Sequence, residues 1–362
     1  MAGAMLALLA GLCAGLTRIG WQLPETSTNL LLAHGPLMVC GVLGALVGLE
    51  RAVALQKVWP YAAPALSALG VLTVIAGLPL TWTALLFTLA SAVLALVYVT
   101  IIRVHPALYT KVMTAGAWLL LAGNLLWLLG LPLYRVFPWW MGFLVFTIAG
   151  ERQELGRVQR LSASDLRLFA IASIAMGIGV VVATALPEWG VRLFGLTLIG
   201  MALWLLRYDI ARKTVRTQGL PQFAGLSLLL GHAWLLVGGV LMVVIGAAAS
   251  GLLYDAMLHA VFVGFVFSMI FGHAPIIVPA VMGVPVAMTR LFYLPLVLMH
   301  GSLVLRVLGD VVVNVEMRRW GGMLNALALL AYVAVLVLAV RRARSSTKPA
   351  GSSGTQPQPA VM

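Results

Sequence analysis

The stretch that decides the fold is MLHAVFVGFVFSMIFGHAPIIVPAVMG, residues 257–283. Apart from two histidines and one serine, every residue in it is apolar, glycine or proline. A helix of about 20 such residues is long enough to cross a bilayer. Ionisable side chains inside a membrane are costly and are by default functional candidates. The stretch therefore predicts a membrane-spanning helix, and the question is why it carries His259 and His273.

The rest of the chain is equally apolar. Of the 362 residues, 62% are hydrophobic and 9% are charged, whereas a soluble domain has about 25% charged residues. Segments with the length and composition of a membrane span are 3–20, 29–50, 60–80, 83–102, 108–132, 136–150, 166–186, 190–206, 224–248, 254–280, 291–310 and 321–340. The first, sixth and eighth are short or mixed, so ten or eleven spans remain open. We predict an all-α, polytopic transmembrane helix bundle of about twelve spans.

The bundle is predicted to occupy residues 1–342. Residues 343–362 are rich in Ser, Pro, Gly and Gln, a composition typical of disorder, and we expect them to form a disordered cytoplasmic tail. Cys13 and Cys40 both fall within predicted spans, which favours roles in the core over a disulfide.

The basic residues are distributed unevenly between the two membrane sides. With an even number of spans, 17 of the 23 lysines and arginines lie on the side of both termini and the other 6 on the opposite side. Basic loops stay in the cytoplasm during insertion, so both termini are predicted to be cytoplasmic. The net charge of +13 is therefore a topology signal. The expected partner is membrane lipid, and no nucleic acid is expected.

The histidines are the candidate site residues. Five of the six lie within predicted spans, namely His34, His232, His259, His273 and His300. Each could be satisfied by a backbone carbonyl or hydroxyl of a neighbouring helix. Five together, where lysines and carboxylates are nearly absent, favour ligation of a haem or metal. Neutral imidazole binds both haem iron and copper.

Depth along the spans suggests how these histidines pair. His34 and His259 lie at matching depths, so the second and tenth helices should be neighbours that present both imidazoles to one cofactor. Fourteen residues at 100° each place His273 on the same face as His259, nearer the cytoplasm. One helix would then serve two sites.

A second ligand layer is predicted at the depth of His273. His232 shares that depth and the Gly-His-Ala setting, which would leave room for a flat cofactor. His300 would lie between or beside the two layers, and a pairing of His232 with His300 is the alternative. For copper, the metal-ligand candidates are His34, His259 and His273. Zinc-dependent hydrolysis is disfavoured because no acidic general base is expected beside these histidines.

Three stretches resemble the NnrS family. They are LLLAHGPLMVCG at 30–41, AGERQELGRV at 149–158 and HAVFVGFVFSMIFGH at 259–273. His34 matches the later histidine of the family's two-histidine motif, whose earlier position is Leu32 here. His259 matches its histidine followed by alanine, and His273 is similar to its later Gly-His, at a shorter separation.

The resemblance implies a haem- and copper-containing protein of nitric oxide metabolism. It implies a multi-pass protein of the bacterial inner membrane with a b-type haem, with or without copper, that handles nitric oxide or electrons together with a redox partner. An oxidoreductase activity linked to nitric oxide is one form this could take. The architecture is distantly similar to the catalytic subunits of haem-copper oxidases and nitric oxide reductases, which also have twelve spans. Their adjacent histidine pair is absent, so no oxygen-reducing centre is predicted.

Two other function classes remain open at the level of the sequence. In a secondary transporter, a Pro-broken helix at 272–283 would line the substrate path and the histidines would relay protons. In a structural or assembly protein, no cofactor would be present. An absorbance spectrum would separate the haem protein from both.

Overall fold

The computed structural model describes residues 1–23 and 27–346, and these residues contain helices and no strand. The long helices are α1 (Ala2–Arg18), α2 (His34–Leu55), α3 (Trp59–Ile75), α4 (Leu80–Val104), α5 (Leu108–Leu128), α6 (Leu133–Gln159), α7 (Ala163–Ala185), α8 (Pro187–Tyr208), α9 (Leu220–Ile245), α10 (Leu252–Met282), α11 (Arg290–Val311) and α12 (Val315–Ser346). Short helices at Thr28–Leu32 and Ala211–Thr214 precede α2 and α9.

Ten of these helices in the described part of the chain are long and apolar enough to cross a membrane. The other two, α1 and α3, are shorter apolar helices. The predicted all-helical class is confirmed for the described residues, with ten helices that have the length and composition of membrane spans. The predicted tail begins inside α12, which runs to Ser346, and its remainder lies outside the described residues.

The helices form a closed ring around a few interior helices. Each long helix packs against the next along the chain, and α12 returns to contact α1. Helix α10 contacts both α2 and α6. We compared the buried fraction of the most apolar stretch of each helix. It is 78% in α6 and 67% in α10, but only 33% in α7. Helices α6 and α10 are therefore the most buried of these spans, α2 packs against α10, and the first residues of all three line one cavity.

Helices α2 and α10 each contain a π-helical stretch. It covers Leu37–Gly44 in α2 and Ala260–Phe267 in α10. Each stretch follows closely on a histidine, His34 in α2 and His259 in α10. π-Helical turns are rare and occur frequently at functional sites. The π-helical stretches therefore make the first turns of α2 and α10 candidates for a functional site.

The prolines of α10 do not break it, which corrects the expectation of a Pro-broken helix at 272–283. The helix continues through Pro275 and Pro279. Since proline has no N–H, Pro275 leaves the Phe271 carbonyl without its helical partner. The Tyr332 hydroxyl of α12 donates to that carbonyl at 2.7 Å, and the two aromatic rings stack with centroids 3.8 Å apart. A side chain from another helix thus replaces the missing hydrogen bond.

Candidate functional site

The largest described cavity lies where α2, α6 and α10 begin. This large cavity has a volume of about 690 Å³. Its deeper walls are apolar and aromatic, and its polar lining residues include His34, His259, Arg18, Asp255, Arg306 and Arg318. A volume of about 300–1,000 Å³ is typical of sites for small molecules and cofactors. The two histidines predicted to pair therefore line one cofactor-sized space.

His34 is held in one orientation by α1. Its Nδ1 lies 2.7 Å from the Gly11 carbonyl oxygen. Because a carbonyl only accepts, Nδ1 carries the proton and Nε2 keeps its lone pair in the neutral ring. The ring also lies against Gly15, where a Cβ would be 2.7 Å from Cε1 of His34. Gly11 of α1 thus supplies the hydrogen-bond acceptor for this imidazole, and Gly15 leaves space for its ring.

His259 has the same arrangement on α10. Its Nδ1 lies 2.9 Å from the Asp255 carbonyl oxygen one turn earlier, so its Nε2 is also left with a lone pair. The rings of His34 and His259 are 6.2 Å apart between centroids and 19° from parallel. The structure therefore brings together the two residues that were expected to share a cofactor.

Charged residues surround this pair. Arg306 donates two hydrogen bonds to Asp255, at 2.8 and 3.0 Å. Arg318 lies 3.6 Å from Asp255 and 3.1 Å from Asp310, and Arg18 lines the cavity without an acidic partner among the described ion pairs. With three arginines and two carboxylates, the neighbourhood has one excess positive charge and suits an anionic group.

The position of Asp255 corrects one expectation. No carboxylate was expected beside the histidines, yet the Asp255 carboxylate lies 3.4 Å from Nδ1 of His259. The spacing of four residues between Asp255 and His259 was a signal for this contact. Arg306 and Arg318 both pair with the Asp255 carboxylate, so its charge is compensated by arginine.

His273 and His232 belong to a second polar cluster near the end of α6. Arg152 donates to Nε2 of His273 at 3.0 Å and forms a bidentate pair with Asp209, at 2.8 and 2.7 Å. Nε2 of His232 lies 3.4 Å from the Asp209 carboxylate. The two histidines thus lie at the two ends of one Arg–Asp pair. The lone pair of His273 Nε2, which a metal would use, accepts from Arg152.

Asp209 and Arg152 were not singled out from the sequence. Both are buried, with side chains 0% and 4% exposed. Burial raises the pKa of Asp209, but hydrogen bonds from Arg152 and its charge outweigh burial, and the pKa lies below its usual value. Arg152 looked like part of the solvated end of a span, and Asp209 like a loop residue. Only the packing of helices distant in sequence reveals the pair.

His300 and the glycines beside two histidines have other contacts. Trp234 donates to Nδ1 of His300 at 2.9 Å. The Nε2 atom of His300 is 3.5 Å from the Ser268 hydroxyl. Gly231 faces Ser268 and Met269 of α10, and Gly272 faces the Ala224 carbonyl of α9. The space expected for a flat cofactor beside His232 and His273 is therefore filled by packing of α9 against α10.

A family model described as a domain of unknown function, DUF8744, matches residues 1–341. The chain belongs to the DUF8744 family. A comparison with curated proteins finds no match. The match covers α1 to α11 and most of α12, so the helices that form the large cavity all lie within the matched DUF8744 region.

The donor groups in the large cavity of this DUF8744 member can be compared with what a haem and a bare metal ion each require. Metal–imidazole bonds are about 2 Å long, so two imidazoles on opposite sides of one ion have ring centres about 6 Å apart. The described residues contain no group of three or more His, Cys, Asp or Glu that could hold a metal ion. A porphyrin supplies four nitrogens itself, and His34 and His259 would complete the coordination. The arginines nearby would compensate its acidic groups.

Proposed function

We propose that this protein is a membrane-embedded haem protein in which His34 and His259 hold one b-type haem from opposite sides. The observation that carries the proposal is the nearly parallel pair of imidazoles, 6.2 Å apart between ring centroids, each with Nδ1 bonded to a backbone carbonyl. Both side chains line a cavity of about 690 Å³. A bound haem would supply one-electron chemistry.

Electron transfer is the activity that this ligand set supports best. His34 and His259 would both be engaged in holding the haem, and the haem would supply one-electron exchange when bound. The resemblance to the NnrS family supports nitric oxide as the small molecule handled and a redox partner as electron donor or acceptor. Copper is the weaker candidate, because only Met38 adds a soft donor to the two histidines in the lining.

The proposal includes a topology of twelve spans with both termini in the cytoplasm of a bacterium. The 17-to-6 distribution of basic residues supports this orientation. Helix α3 has 17 residues, about 26 Å at 1.5 Å per residue, close to the 30 Å hydrocarbon core. Hydrogen bonds from Asn29 to the carbonyls of Gly77 and Leu78 support a complete crossing by α3, because they join its end to the end at which α2 begins.

The test is the absorbance spectrum of the purified full-length protein and two variants. We expect a Soret band in the wild type and loss of the same band in His34→Ala and in His259→Ala. His105→Ala is the matched control, since His105 is an exposed residue outside both polar clusters, and it should keep the full band. A wild-type protein that lacks the band when produced with ample haem, or two variants that lose different features, would overturn the proposal.

A further inference from the structure

A second, smaller cavity lies at the opposite end of the same three helices. This small cavity has a volume of about 140 Å³ and is lined by residues 43–50 of α2, 144–151 of α6 and 266–281 of α10. Its polar side chains are those of Glu50, Thr147, Glu151 and His273, the other lining side chains are apolar, and Met1, which precedes α1, lines it as well. The proposed haem site uses none of these residues.

The side-chain charges at the small cavity do not balance. Arg51 is paired with both Glu50 and Glu151, so two carboxylates share one guanidinium. The next arginine, Arg152, is already paired with Asp209. Two carboxylates that share one counter-charge in a partly buried site disfavour full ionisation of both. The surplus negative charge makes this pair an acceptor for one proton.

The other ionisable groups around the pair leave this balance unchanged. The Tyr98 ring of α4 lies under the Arg51 guanidinium at 5.8 Å. Glu154 is paired with Arg157, and the free nitrogen of His273 accepts from Arg152. A metal cation such as Ca²⁺ would need six or more oxygen ligands, which two carboxylates and one hydroxyl do not provide. A proton needs one lone pair.

The small and large cavities share one lining residue. Leu43 is the one described residue that lines both, and it is 3% exposed. It lies within the π-helical stretch of α2. An apolar constriction between two polar chambers can act as a gate, because water leaves it and ions then cannot pass.

We propose that the two cavities form one proton path through the bundle, with Glu50 and Glu151 as its entrance and Leu43 as its gate. A proton from water at the small-cavity end binds the carboxylate pair, passes Leu43 when water enters the constriction, and is released to water in the large cavity. The side chains of Glu50 and Glu151 are 29% and 19% exposed, so neither carboxylate is sealed inside the bundle. No bond other than O–H is made or broken, and the path requires no cofactor.

The test measures proton flux into liposomes that contain the purified full-length protein and an entrapped pH-sensitive dye. A potassium gradient with valinomycin provides the driving voltage. In Leu43→Ala we expect flux about tenfold above wild type, equivalent to a barrier lowered by about 1.4 kcal/mol. Leu46→Ala is the matched control, because Leu46 lines the small cavity only, and its flux should stay at the wild-type level.

The entrance is tested in the Leu43→Ala background. Glu50→Gln with Glu151→Gln should return the flux to the wild-type level, and Glu154→Gln should leave it high. If Leu43→Ala does not fold, Leu43→Val should give a smaller increase of the same sign. Equal flux in the Leu43 and Leu46 variants, or a high flux that persists in the double Gln variant, would overturn the proton path. Since the absorbance spectrum reports the haem separately, failure of one proposal is distinguishable from failure of the other.

Discussion

His34 and His259 show what can be read from single residues and what cannot. Their matching depth in two apolar spans predicted that they are neighbours, and their ring centroids are 6.2 Å apart. The protonated nitrogen of each was not predictable. For His34 it is set by the Gly11 carbonyl, 23 residues away, and that contact depends on how closely α1 approaches α2. Partners such as Arg306 were missed for the same reason. The residues next to a charged side chain in a span do not indicate which distant side chain it contacts.

Gly15→Ala is predicted to disturb the large-cavity site without removing any ligand. The added methyl would lie 2.7 Å from Cε1 and 3.0 Å from Nδ1 of His34, so the imidazole must move and its bond to Gly11 weakens. We expect a shifted or reduced haem band at an unchanged amount of folded protein, measured by absorbance after size-exclusion chromatography. The matched control is Gly200→Ala, because a Cβ at Gly200 meets nothing within 4 Å. Identical spectra for the two variants would show that the position of His34 does not matter.

At the scale of helices, the apolar pattern predicted most elements and missed their irregularities. The tenth predicted span at 254–280 became α10 at Leu252–Met282. The rotation between His259 and His273 was calculated for a regular α-helix at 100° per residue. Eight of the intervening residues are instead π-helical. Both histidines nevertheless line cavities between α10 and α2. π-Helical turns follow from packing against neighbouring helices, which a single helix's sequence does not contain.

The continuity of α10 through Pro275 is predicted to depend on Tyr332. Tyr332→Phe removes the donor to the Phe271 carbonyl but keeps the stacked ring, and should lower the free energy of unfolding by about 1 kcal/mol. In a Pro275→Ala background the restored N–H can reach the Phe271 carbonyl. Tyr332→Phe should then lower the free energy of unfolding by less than it does in the wild type. A double-mutant cycle of unfolding in detergent measures the difference. Equal costs in both backgrounds would mean that the hydroxyl does not replace the missing helical bond.

At the scale of the whole molecule, the amino-acid composition predicted the fold class but could not predict the candidate site. An apolar content of 62% with 9% charge leaves no other class than a membrane bundle. The large cavity, in contrast, is bounded by residues from Leu12 to Leu329. Its existence depends on how α1, α2, α6, α10, α11 and α12 close around it, and no local pattern encodes an unfilled volume.

The number of spans depends on whether the short helix α3 crosses, and this gives the last prediction. Val58 and Leu78 flank α3 and are 88% and 44% exposed. We replace each by Cys in a Cys13→Ala background, in which the remaining Cys40 is buried, and treat intact bacterial cells with a membrane-impermeant thiol reagent. Leu78→Cys should be labelled, and Val58→Cys only after the inner membrane is permeabilised. If both sites label before permeabilisation, or both only afterwards, α3 does not cross and the bundle has fewer spans. If the two results are exchanged, the positively charged side faces outward and the small cavity draws its protons from the periplasm.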